Sequence, residues 1–263
     1  LAFVAMVSVG VTMAACGGAT TTSGRPTTTS PSAAPTERWD LVWFSDSSGF
    51  DLASLWAERI EQDLGVEVRV YDFSRGAEAG SAVAVLDRIE TEPEVQDALA
   101  TAEVIGLNAN PAGAVPGDEG ADVCVTTSRV PRDPPEPSSI EDFEPYAELL
   151  RSIYEHIFEL RAGQPTIVRA VDHYNPVIGP WRAAGIEPEC TAHWEAVAST
   201  VRQVASEYSV PTASMYDTFN GPGHDEDPVE KGLIGSDGEH PSDKGKAVQV
   251  DVLDALGYEP IRP

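Results

Sequence analysis

The chain has 263 residues, 41% of them hydrophobic, and 17 Lys and Arg against 43 Asp and Glu leave a formal net charge of −26. That length and apolar content predict one domain of ordinary size with a sizeable core. The negative field repels phosphate backbones and gives no counterion-release drive, which argues against a nucleic-acid partner and otherwise reads as a solvated surface.

Leu1 to Ala15 is uncharged and mostly apolar. It fits the hydrophobic region of an export signal, and it falls short of the roughly 20 residues needed to cross about 30 Å of hydrocarbon. It ends in Met13-Ala14-Ala15-Cys16, which resembles the lipobox of bacterial lipoproteins, where the cysteine is lipidated and becomes the mature N-terminus. From Ala19 to Glu37 the chain is Thr, Ser, Pro, Gly and Ala with hardly a large side chain, so ordering entropy is not offset by burial. The expected organisation is a signal segment over 1–15, a flexible tether over 16–37 and a folded domain over 38–263. As a coil of about 5–6 Å per root residue, the tether would hold the domain on the order of 25 Å from a membrane.

Leu41 to Phe44 is a short apolar run, followed by Asp51 to Leu64 with Leu52, Leu55, Trp56, Ile60 and Leu64 at helical spacing. Val66, Val68 and Val70 then alternate with charged residues. Ser81 to Ile89 has a helical pattern, and Glu103 to Asn108 holds the next apolar run. Pro111 to Pro137, rich in proline, glycine and acidic residues, reads as a long surface loop. A long amphipathic helix with Tyr146, Leu150, Ile153, Ile157 and Leu160 on one face leads to a strand over Thr166 to Val171, and Val210 to Met215 is a weaker fifth strand. Strands alternating with helices predict an α/β protein, a three-layer α/β/α sandwich around a mostly parallel five-stranded sheet, with chemistry at the strand C-terminal ends. Past Cys16 the only cysteines are Cys124 and Cys190. In an exported chain they are expected to form a disulfide, and neither has the spacing of a zinc site.

Ser45-Asp46-Ser47-Ser48-Gly49 stands at the end of the first strand and before a helix, where the positive helix end and backbone N–H groups favour an exposed nucleophile and a developing oxyanion. Near the C-terminus comes Ser236-Asp237-Gly238-Glu239-His240-Pro241-Ser242, before a last helix carrying Ala247, Val248, Val252 and Leu256. The Asp-x-x-His spacing lets the Asp237 carboxylate accept the His240 Nδ1–H and leaves Nε2 free to take a proton. His173, after the fourth strand, reads as a loop histidine or as a lining residue of the substrate pocket, His224 as part of a surface loop, and His156 and His193 as helix residues without chemistry.

These motifs resemble those of the SGNH/GDSL hydrolases, which carry their serine in Gly-Asp-Ser after the first strand and Asp-x-x-His before the final helix. The resemblance spans nearly all of Trp39 to Leu256. It implies a serine esterase with Ser47 as nucleophile, His240 as base and Asp237 as its orienting partner, with Ser48 an alternative one position on. It also implies an oxyanion hole of the Ser47 N–H, a glycine after the second strand and an asparagine after the third. Asp72-Phe73-Ser74-Arg75-Gly76, with Leu86 ten residues later, favours Gly76 over Gly80, and Gly106-Leu107-Asn108-Ala109 supplies Asn108. Ser45, Ser48 and Ala109 stand where the family more often has glycine, leucine and aspartate. The expected partner is a small-molecule or glycan ester, hydrolysed without cofactor or metal by a monomer anchored through Cys16 to the outer face of the cytoplasmic membrane or the cell envelope. A carbohydrate O-deacetylase and a catalytically silent binding protein are the alternatives.

Overall fold

The computed structural model describes residues 37–75, 79–114, 124 and 140–262. The chain divides into two units, Leu1–Pro35 and Thr36–Pro263, and every described residue belongs to the second. The signal segment, Cys16, nearly all of the tether and Gly76 lie outside the described residues.

Five strands, β1 (Arg38–Ser45), β2 (Glu67–Asp72), β3 (Val104–Asn108), β4 (Ile167–Val171) and β5 (Thr212–Ala213), form one sheet in the order β2-β1-β3-β4-β5. All four pairings are parallel. Parallel strands covered on both faces read as continuous apolar runs whose alternate residues point to opposite layers. In β1, Leu41 and Trp43 enter one core and Val42 and Phe44 the other, all fully buried. Trp43 pairs in register with Gly106, and a Cβ at Gly106 would lie 2.1 Å from the Trp43 ring, so only glycine leaves room for that indole.

Helices α1 (Leu52–Leu64) and α8 (Asp243–Ala255) cover the Trp43 face. The other face carries α2 (Ala82–Thr91), α3 (Pro93–Thr101), α4 (Glu144–Arg161) and α6 (Glu187–Glu207). Two shorter helices, α5 (Ile178–Ala184) and α7 (Met215–Asn220), follow β4 and β5. The chain runs from β1 out to β2 and then reverses across β1 to β3, so the connections diverge at the C-terminal ends of β1 and β3 and leave a crevice there. The fifth strand is shorter than the predicted Val210 to Met215. Val210 donates its N–H to Ala205 O in the turn closing α6, and Ser214 caps α7 by accepting the Asp217 N–H.

The expected disulfide joins Cys124 to Cys190 at the start of α6, with Cα atoms 5.2 Å apart. Both cysteines are buried with Val177, Trp181 and Ile186, and Trp194 packs against that cluster.

His224 ties its loop to α6 and α7. Its Nδ1 meets Glu195 of α6, its Nε2 lies 2.6 Å from Asp217 of α7, and its ring stacks on Tyr216 at 3.8 Å. Burial pulls the imidazole value down, but the two carboxylates outweigh it and the net shift is upward. A raised folded value means that this stabilisation is fully present below the ordinary imidazole range of about 6.5 and is lost as pH rises through the folded value. Thermal melts should therefore fall more steeply above neutral pH in the wild type than in His224→Gln; parallel curves would discount the contact.

Candidate active site

β1 ends at Ser45, and Asp46 caps the single 3-10 turn Ser47–Gly49. Asp46 Oδ1 accepts the Ser48 N–H at 2.8 Å and the Ser48 Oγ–H at 2.5 Å. The Ser48 hydroxyl is thus committed to the cap, whereas Ser47, one residue earlier, lines a cavity without that tie. Ser45 keeps a strand conformation with negative φ, so the family's glycine is not needed there. Its hydroxyl instead occupies the space beside Gly49, where a Cβ would come within 2.1 Å of Ser45 Oγ.

Asp46 is a hub. Its Oδ2 accepts from Asn110 Nδ2 at 3.0 Å and stands 3.5 Å from His173 Nε2, an ion-pair distance rather than a hydrogen bond. Burial alone would push this carboxyl up, but His173, Ser48 and Asn110 together outweigh burial and hold it well below the usual carboxylate range.

Asn110, not Asn108, is the asparagine at this site. Asn108 ends β3 in register with Ser45 and is 3% exposed, and its amide donates to Val171 O at 3.4 Å, away from the cavity. Asn110 lies two residues beyond. Its Oδ1 accepts the Ala112 N–H at 3.0 Å while Nδ2 holds Asp46, so the network fixes the amide orientation and leaves its second N–H to the cavity side. The sequence signal for it is the Asn-Pro-Ala-Gly turn after the strand, in which an Asn side chain bonds the backbone two residues on.

Gly80 meets the same turn. Its carbonyl accepts the Asn110 N–H at 2.8 Å, and a Cβ there would lie 2.2 Å from Asp46 Cα. A side chain would therefore push the Ser81 N-cap of α2 away from the serine turn.

The Asp237–His240 loop closes on itself. Asp237 Oδ1 accepts the N–H groups of Glu239 and His240 at 3.0 Å each, and Oδ2 lies 3.0 Å from His240 Nδ1. Those two backbone bonds and then the imidazole pull the Asp237 carboxyl down to about 2. Gly238 turns at φ +78°, which favours glycine. Ser242 caps α8 by accepting the Gly245 N–H at 3.1 Å. From α8, Gln249 donates to Ser48 O at 3.2 Å and Lys246 pairs with Asp51 at 2.8 Å, which ties the chain's C-terminal helix to the first loop.

Ser47, Asn110, His173, Trp194 and His240 thus line one cavity of about 190 Å³. Ser47 Oγ and His240 Nε2 share this cavity without a hydrogen bond between them among the described residues. Such contacts are often long in unliganded sites and tighten around substrate. His173 lies in the loop after β4 and lines the cavity, the second of the two places the sequence offers for it. Among the described residues no His, Cys, Asp and Glu cluster is arranged to hold a metal.

The fold is that of the SGNH hydrolases. A candidate SGNH hydrolase from Slackia heliotrinireducens aligns with a TM-score of 0.50 at 17% identity, over 84% of this chain and 100% of that one. The crystal structure of TesA aligns at 0.47 and 14% identity over 82% and 95% of the two chains, and a Lactobacillus plantarum protein at 0.48 and 17% over 84% and 97%. No protein-family model and no curated protein sequence matches the chain.

Proposed function

We propose that this protein is a serine esterase that hydrolyses carboxylic esters through an acyl-enzyme. The supporting observation is the meeting of Ser47, Asn110 and His240 in one cavity, with the imidazole gripped at Nδ1 by Asp237. His240 Nε2 takes the Ser47 proton as Oγ attacks the ester carbon, and the carbonyl electron pair moves onto oxygen. The Ser47 N–H, the Asn110 amide and the N–H of a glycine after β2, Gly76 or Gly80, receive that oxyanion. The intermediate collapses, the alkoxide leaves with the proton from His240, and water activated by the same imidazole releases the acid.

A serine-reactive phosphonate tests this directly. Stoichiometric labelling that vanishes in Ser47→Ala supports the esterase, and a folded wild type that resists labelling points to a silent binding protein. Asn110→Ala should lower kcat by roughly 10²–10³, the range of one oxyanion donor, whereas Asn108→Ala should cost only about 1 kcal/mol of stability. Equal losses of kcat in the two variants would return the role to Asn108.

A glycan O-acetyl ester is the second reading. The cavity is smaller than the roughly 300–1,000 Å³ of drug-sized sites, which favours a short acyl group. We further propose anchoring at the outer face of the cytoplasmic membrane or the cell envelope through a lipid on Cys16, with the 16–37 segment as tether and the domain a monomer. Fatty-acid labelling lost in Cys16→Ala is the expected result.

A further inference from the structure

We propose that His173 and Tyr174 are positioning residues that bridge the serine turn to the histidine loop and set the separation of Ser47 from His240. The inference rests on the esterase reading above, and three observations carry it.

First, the loop after β4 is braced. Asp172 accepts the Tyr216 N–H at 3.0 Å and the Ser214 Oγ–H at 3.1 Å. Asn175 and Asn220 exchange two hydrogen bonds of 2.8 Å each, and Asn175 Oδ1 accepts the Val177 N–H at 2.9 Å. The loop is therefore fixed to α7 and to its own next turn.

Second, two adjacent side chains leave this brace for the two halves of the site. His173 Nε2 stands 3.5 Å from Asp46, whose carboxylate caps the Ser47 turn and holds Asn110. Tyr174 donates its hydroxyl to Glu239 O at 3.0 Å, next to His240, while its ring stacks on Phe219 at 4.5 Å. The Trp194 indole N–H donates to His173 O at 2.8 Å and holds the backbone between them.

Third, His173 is 8% exposed and neither ring nitrogen makes a hydrogen bond among the described residues. A buried imidazole left this way is costly and calls for an explanation, and the polar group it faces at ion-pair distance is the Asp46 carboxylate. Since Ser47 and His240 come from opposite ends of the chain, a fixed element touching both sides is what limits their relative drift. Misplacement of reacting groups by about 1 Å can cost roughly 10²-fold in rate.

The test is kinetic. Tyr174→Phe keeps the ring stack and removes only the hydroxyl, and His173→Gln keeps an amide that reaches toward Asp46. We expect Tyr174→Phe and His173→Ala each to lower kcat and the phosphonate labelling rate by about tenfold, the equivalent of one lost hydrogen bond or contact, with KM within about twofold. His173→Gln should regain most of that loss, and the Tyr174→Phe/His173→Ala double variant should cost little more than either alone, because the bridge fails when one end is cut. Wild-type labelling rates in both single variants, with Ser47→Ala unlabelled, overturn the bridge and leave the esterase standing. A raised KM at unchanged kcat also overturns it and makes these substrate contacts, and an unlabelled wild type overturns both readings together.

Discussion

Replacing His240 with alanine is expected to lower kcat by roughly 10⁴–10⁶ without unfolding the protein, the range seen when a nucleophile–base pair loses a member. The imidazole is 37% exposed and among the described residues its side-chain partner is Asp237, while the loop around it is held by backbone bonds to Asp237 Oδ1 that survive the substitution. Ser47→Ala should give a loss of the same size, and the double variant should be no worse than either, because the two act as a unit. Multiplying losses would show that His240 is not the base for Ser47. Asp237→Asn is the finer probe. Its oxygen would take the two backbone N–H groups, leaving an NH₂ against Nδ1 that favours the tautomer with its proton on Nε2, where the base must be empty. Because the wild-type carboxyl lies at about 2, it is ionised throughout the assay range. Its stabilisation of the loop is present above the ordinary aspartate value of about 3.8 and is lost only as pH falls through 2. Titration of the Asp237 carboxyl itself should therefore add no pH dependence to the Asp237→Asn defect from about 4 upward.

The parts of this site legible in the sequence are those fixed by local chemistry. A serine turn between an apolar run and a helical pattern, and an aspartate three residues before a histidine, each define their own geometry over a few residues. The central strands are equally plain, because Leu41 to Phe44 and Glu103 to Asn108 are apolar enough to be buried on both faces. What escapes a sequence reading depends on how the strands end in space. Asn108 and Asn110 both follow the third apolar run, and the choice between them turns on where β3 stops pairing with β1, at Ser45 opposite Asn108. Helix spacing favours Gly76, which lies outside the described residues, and carries no sign of the close approach that Gly80 makes to the Asp46 backbone across 34 residues of chain. His173 carries no local motif, and its position follows from β4 lying next to β3 in the sheet. The helix Pro93–Thr101 has no counterpart among the elements expected from the sequence, although Glu92-Pro93 is a good start signal, since proline suits the first helical turn and the preceding run has already ended.

Removing the disulfide should have the largest effect on stability. With Cys124 and Cys190 separated by 66 positions in sequence, the chain-entropy model assigns the cross-link about 4 kcal/mol through restriction of the unfolded chain. For a domain of this size that corresponds to a fall in Tm of roughly 8–16 °C in the Cys124→Ala/Cys190→Ala variant. The loss should reach the site as well. Cys190 lies one turn before Trp194 on α6, Trp194 meets Trp181 edge-on at 5.9 Å in the cluster around the disulfide, and its indole holds the His173 backbone at the cavity wall. A double variant that melts low and also loses activity well below its Tm would fit that connection, and the wild type treated with reductant should reproduce it. If the variant melts low but keeps full kcat at about 25 °C, the disulfide serves the fold alone and the Trp194 contact is independent of it. A Tm within about 3 °C of wild type would mean that the buried apolar cluster, rather than the covalent link, holds the start of α6 in place.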